Sequence, residues 1–146
     1  MGLFSFIKGA GKKIFGRKDT PAPLTKEQAL AKEVTDLGLP IDNLSVELGT
    51  AVIVGGTTDT QANKEKIIIA LGNVEGVNAV EDNIVVTNPE PEAVFHTVKS
   101  GDTLSKISKE VYGDPMRYNE IFEANKPMLT HPDKIYPGQV LRIPVA

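Results

Sequence analysis

Two short stretches, GRKDTPAP at 16–23 and TNPEPEA at 87–93, decide most of what this chain can fold into. Clustered prolines and charges continue neither a strand ladder nor a helix, so both read as linkers. They divide 146 residues into an N-terminal segment with its linker (1–23), a domain at 24–88, a linker at 89–94 and a domain at 95–146. Domains this small have little interior per unit of surface. The chain has no cysteine, which excludes disulfides, thiolate metal sites and a lipidated N-terminal cysteine. Each piece must be held by packing alone.

Charge narrows the function classes. The net charge is −3, which gives no general attraction for nucleic acid. Its distribution is uneven: residues 1–18 hold five cations (Lys8, Lys12, Lys13, Arg17, Lys18) and no acid, leaving 11 bases against 19 acids, a net of −8, on the rest. The opening MGLFSFIKGAGKKIFGRK is not a secretory signal, because its apolar run is too short and its lysines follow that run. Phe6 stands where a myristoylation signal needs Ser or Thr, and no run approaches the ~20 apolar residues of a membrane span. A cytoplasmic monomer is expected. Leu3, Ile7, Ala10 and Ile14 recur at helical spacing, so a short helix that unwinds near Gly9 is expected here. Its apolar face needs a cover, either the protein's own domains or a membrane surface.

In the 24–88 domain, Thr25 and Gln28 form a capping-box signature ahead of Leu30, Val34 and Leu37, and Gly38 and Pro40 stop that helix. LSVEL alternates as a strand, Gly49-Thr50 suits a two-residue hairpin turn, and the return strand covers Ala51 to Val54. A second helix is predicted from about Gln61 to Leu71 behind Asp59 or Thr60, then a strand around Val80 to Val86. The order is αββαβ, with two helices over one side of a small sheet. In the 95–146 domain, Phe95 to Val98 reads as a strand, Asp102 as the cap of a helix bearing Leu104, Ile107 and Val111, and Gly113 as its end. Asp114-Pro115 starts another helix, and Pro137-Gly138 makes a turn into a last strand, for the order βααβ. The fold class is α+β, in two small domains.

Three segments of the second domain, VKSGDTLSKIS, NEIFEANKPM and DKIYPGQVLRIP, resemble the LysM signature along its whole length. The hairpin VELGTAVIVGG, the following helix and GNVEGVNAVEDNIVV resemble a BON domain. One BON followed by one LysM behind MGLFSFIK is similar to a family of short bacterial potassium-binding proteins. That resemblance implies a cytoplasmic protein that binds K+ and becomes more compact when it does, and a site for so large an ion is expected to take Rb+ or Cs+ in its place. No enzyme constellation stands against it. His96 and His131 are 35 residues apart with no thiol or regular carboxylate spacing, and no phosphate loop, calcium loop or nucleophile elbow is present.

Potassium is large and singly charged, and rings of neutral backbone carbonyls hold such ions. A site of that kind leaves its trace in glycines and helix ends rather than in side-chain identity. LGNVEGV at 71–77 has that character: Gly72 falls where a helix C′ glycine would, at the negative end of the helix dipole, and Gly76 permits a second bend. FIKGAGK at 6–12 is the other candidate. If the segments meet, carbonyls of Ile7, Ala10 and Lys12 face those of Gly72, Val74 and Val77 in a cage of about six oxygens, as the resemblance suggests. Spacing alone also fits an ordinary helix-to-strand turn, and Glu75, Glu81 and Asp82 form an alternative, weak calcium site.

Two rivals remain open. LysM modules in general bind N-acetylglucosamine polymers such as peptidoglycan, and the corresponding positions are Gly101, Asp102, Thr103, Leu104, Asn125, Lys126, Pro127 and Ile135. That groove can instead dock the BON domain. Membrane association through the basic apolar N-terminus is the second rival.

Overall fold

The computed structural model describes residues 2–6, 25–74 and 76–144. Helix α1 (Lys26–Asp36) starts as the sequence predicts. Thr25 Oγ1 accepts from the Gln28 amide at 3.1 Å, and Gln28 Oε1 accepts from the Thr25 amide at 3.0 Å. Gly38, at φ +72°, turns the chain out of the helix. Strands β2 (Asp42–Leu48) and β3 (Val52–Thr60) pair antiparallel, with Leu48 opposite Val52. The connection is therefore the three residues Gly49, Thr50 and Ala51 rather than the expected two, and the Gly49 amide bonds Ala51 O at 3.0 Å.

Strand β3 runs on to Thr60, beyond the expected end at Val54, because β4 (Ala79–Asn88) supports it in parallel from Val52–Val80 to Thr60–Asn88. Helix α2 (Gln61–Gly72) makes the crossover, with Thr60 Oγ1 capping the Asn63 amide. Val52 and Val54 of β3 and Val80 and Ile84 of β4 alternate onto one face. They share a core with Leu30 and Val34 of α1 and with Ile67, Ile68 and Leu71 of α2.

The N-terminus departs from the expected helix. Gly2–Ser5 is a strand, β1, paired antiparallel with β4 from Gly2–Asp82 to Ser5–Ala79. The sheet order is β1-β4-β3-β2. Without β1, β4 would present a row of unpaired amides and carbonyls, whereas a short isolated helix bears a nucleation cost that one or two turns do not offset. The remainder of the expected helix, residues 7–14, lies outside the described residues.

The second domain has the expected βααβ order. Strands β5 (Val94–Thr97) and β6 (Val140–Ile143) pair antiparallel, and α3 (Leu104–Tyr112) and α4 (Tyr118–Ala124) flank a 3-10 turn at Pro115–Arg117. Thr103, not Asp102, caps α3, its Oγ1 accepting from the Lys106 amide at 3.1 Å. Asp102 instead closes the preceding turn, accepting from the Lys99 amide at 2.9 Å. Gly113 ends α3 at φ +76°. Val98, Leu104, Ile107, Ile121, Leu129, Leu141 and Ile143 form this core.

The domains share a wall. Val140 of β6 belongs to the core of the first domain, with Phe95 and Met128 packed against it. The rings of Phe4 and Phe95 lie 5.0 Å apart at 37°.

Candidate functional site

The bend that carries the predicted carbonyls begins at the end of α2. The Asn73 amide bonds Ile69 O at 2.9 Å and the Val74 amide bonds Leu71 O at 3.3 Å, completing the last turn. The Val77 amide then donates to Val74 O at 3.1 Å. A carbonyl oxygen has two lone pairs, so Val74 O keeps acceptor capacity. Gly76 sits at φ +101°, where a side chain is strained, and this residue carries the second change of direction as expected.

Gly72 has a different role from the one its spacing suggests. It is the last residue of α2 and is not left-handed; a Cβ placed there would run into the ring of Phe6. The missing side chain lets Phe6 bury against the end of α2. The Phe6 amide in turn donates to Asn78 O at 2.8 Å. The N-terminal segment and the bend therefore meet at residue 6. Gly72, Val74 and Val77 lie together on the bend, while Ile7, Ala10, Lys12 and Glu75 lie outside the described residues. A cleft of about 300 Å³ opens beside the bend, lined by Lys26, the β2–β3 loop and residues 76–79.

The carboxylate alternative loses two of its members. Asp82 is buried, pairs with Lys64 Nζ at 2.8 Å and accepts from the Ile84 amide at 2.8 Å. Glu81 is its neighbour on β4 and projects to the other face. Among the described residues no three His, Cys, Asp or Glu side chains converge on a common point.

A polar seam joins α2 to the second domain, and its residues were not anticipated from the sequence, which offered the glycan groove as the docking face. The Asn73 carboxamide holds Val140 at two points: Nδ2–H donates to Val140 O at 2.8 Å, and the Val140 amide donates to Oδ1 at 2.9 Å. Two turns earlier, Glu65 Oε1 accepts from Arg142 Nε at 3.0 Å and Nη2 at 2.8 Å. Glu65 Oε2 accepts from the Ala93 amide at 2.9 Å and Gln61 Nε2 at 3.1 Å. Arg142 Nη1 also donates to Ala124 O at 3.2 Å. Both charges are buried, and among the described residues no buried side-chain polar atom is left without a partner. Burial and then the Arg142 guanidinium push the nearby Lys66 ammonium below its ordinary range. Beside the seam lies a cavity of about 280 Å³ whose lining includes Leu37, Ala70, Met128 and Tyr136. Burial raises the Tyr136 phenol above its usual value.

The glycan candidates are dispersed. Asn125 is buried and spends its side chain on Ile121 O, Arg142 O and the Arg142 amide at 2.7, 2.9 and 2.8 Å. Leu104 is in the core and Ile135 packs against it. Gly101 is exposed at φ +87°, and exposed Lys126 and Pro127 sit on the loop after α4, with Lys126 paired to Glu123 at 3.0 Å. Only Thr103 and Leu104 of the set line the local depression of about 400 Å³, with Tyr118, His131, Pro132 and Asp133. The face turned to the first domain is another one, built from Phe95, Met128, Val140 and Arg142. Asp102 pairs with His96 at 3.3 Å. The Lys99 amide, and secondarily His96, hold its carboxyl below the usual range.

Comparison with known proteins agrees with this architecture. The BON domain family matches residues 27–88 and the LysM domain family matches residues 96–144. The chain is a two-domain protein of the BON-then-LysM class. It is 47% identical over 151 aligned residues to the potassium binding protein Kbp of Escherichia coli O6:H1 (strain CFT073), covering 99% of each chain. It belongs to the family of that protein. An uncharacterized protein of Deinococcus radiodurans is 35% identical over 116 residues, which span 72% of this chain and 44% of that protein. Among the described residues no helix is long and apolar enough to cross a membrane.

Proposed function

We propose that this protein binds potassium ions and is not an enzyme, and that the ion sits among backbone carbonyls of Ile7, Ala10, Lys12, Gly72, Val74 and Val77. The observation that carries the reading is the full-length likeness to a protein named for potassium binding. The geometry of the bend supports it. Gly76 turns the chain, the end of α2 contributes the negative pole of its dipole, and Phe6 brings the N-terminal segment onto the bend immediately before Ile7. Neutral oxygens suit a large monovalent ion, whereas calcium favours carboxylates, and Glu81 and Asp82 on β4 point to opposite faces of the strand. In this reading K+ draws the bend, the N-terminal segment and the second domain into one compact cytoplasmic monomer.

Calorimetric titration tests this. K+, Rb+ and Cs+ should bind in preference to Na+. Deleting residues 1–12 should abolish the heat. Gly76→Val should weaken binding, since valine resists the left-handed bend, and Glu75→Gln should change it little. Strong loss with Glu75→Gln together with tight calcium binding would overturn the carbonyl cage. Retention of the protein on isolated peptidoglycan, with no heat from K+, would favour the glycan reading.

A further inference from the structure

The seam between the domains starts inside the candidate ion site, and this placement has a consequence for how the two communicate. Asn73 is both the cap of α2 and the residue between Gly72 and Val74. The Gly72 carbonyl and the Asn73 amide belong to one rigid peptide plane, so whatever fixes Asn73 also fixes the direction in which Gly72 O points. The Asn73 amide closes the last turn of α2 on Ile69 O, and this residue's φ of −84° and ψ of 16° then set the direction of the peptide that leads into Val74. Its side chain is held by the second domain, through the two hydrogen bonds to Val140. Val140 is the first residue of β6, and its side chain is buried in the core of the first domain. The carboxamide thus stands between the carbonyls of the bend and a strand some 67 positions further along the chain.

We infer that Asn73 couples ion binding to domain docking: its side chain transmits the position of β6 to the carbonyls of Gly72 and Val74. The inference rests on the ion reading above and adds the residue through which it acts. Glu65 and Arg142 lie in the same interface but two helical turns from the bend, so they hold the domains together without orienting a ligand oxygen. Coupling is reciprocal, and an ion that favours the docked bend must strengthen docking by the factor that docking strengthens the ion. Asn73 is a positioning residue in this scheme, and its carboxamide does not touch the ion.

The experiment uses the full chain and its variants Asn73→Ala and Glu65→Gln, with urea unfolding in KCl and in NaCl at equal ionic strength and K+ titration by calorimetry. The wild-type protein should be more stable in KCl. Asn73→Ala should lose that K+-specific increment, and its K+ Kd should rise by about tenfold, within the usual range of site-to-site coupling. Glu65→Gln should lower stability equally in both salts and keep the K+ increment. If Asn73→Ala does not fold, Asn73→Gln, which keeps both polar groups but displaces them by one methylene, takes its place with the same expectation. Equal loss of stability in both salts with an unchanged K+ Kd, in a protein whose wild type does bind K+, overturns the coupling while leaving the ion reading intact. A wild type that gives no heat with K+ and no salt-specific stability overturns both.

Discussion

Helices α2 and α3 are capped alike by a threonine, yet they live in different surroundings. α3 buries Leu104, Ile107 and Ser108 and gives Ser105, Lys106, Lys109 and Glu110 to solvent. It is a one-sided helix with a single core to serve. The C-terminal half of α2 is buried on every side: Ile67, Ile68, Ile69, Ala70 and Leu71 follow one another with no break for water. One side packs on the sheet of the first domain and another receives β6 of the second. The difference teaches that the second domain is not an appendage here. It is the fourth wall of the first, and polar residues of α2 that would be solvated in an isolated BON domain become the seam.

The sharpest way to break this comparison is at Glu65. Glu65→Ala leaves Arg142 buried without its carboxylate and should cost about 3–5 kcal/mol by urea unfolding. The exposed counterpart on α3, Glu110→Ala, should stay within about 0.5 kcal/mol. Replacing the pair together as Glu65→Leu with Arg142→Met should recover most of the loss. A Glu65→Ala cost no larger than that of Glu110→Ala would mean that the seam is open in solution.

The two helix ends give a second, smaller contrast. Gly72→Ala should cost about 1–3 kcal/mol through collision with Phe6, and the same substitution made on a Phe6→Ala background should cost much less. Gly113→Ala, with open space around it but φ +76°, should cost about 1–2 kcal/mol from conformation alone. That cost should be indifferent to Phe6. Persistence of the full Gly72→Ala penalty without the Phe6 ring would reassign Gly72 to a backbone role.

The smallest effect concerns pH. The Lys99 amide and His96 lower the Asp102 carboxyl below its ordinary 3.8. A carboxyl with a depressed folded-state value contributes stability above its unfolded value and loses it as pH falls through the folded one. Thermal unfolding between pH 5 and about 2 should therefore show a slightly steeper acid limb in the wild type than in Asp102→Asn. Coincident acid limbs would show that the turn after β5 does not depend on this carboxylate.

Much of the fold was legible because local chemistry decided it. The Thr25 and Gln28 box, Gly113 after α3, Asp114-Pro115 and Pro137-Gly138 each specify backbone geometry within four residues. What failed were decisions made at long range. Leu3 and Ile7 are spaced for a helix, but the free edge of β4 is some 80 positions away and invisible to periodicity. Gly72 looked like a cap because glycine after a helical run usually is one, while the reason for it, the Phe6 ring, comes from the far N-terminus. Asp102 and Thr103 are both good caps, and the turn captured the first.

At the candidate site, Gly76 was readable from the need for a bend, but a carbonyl ligand says nothing about the side chain that bears it. The seam had a signal that went unread. Five consecutive apolar residues leave the second half of α2 no solvated face, and Arg142 interrupts a strand that is otherwise apolar on both sides.

The pairing of β1 with β4 has a consequence for the order in which the molecule assembles. Residues 2–5 must wait for residues 79–82 before their strand has a neighbour, while α1, β2 and β3 find theirs nearby. Contacts of such wide sequence separation form late. Strand β1 is thus among the last pieces of the first domain's sheet to find its place.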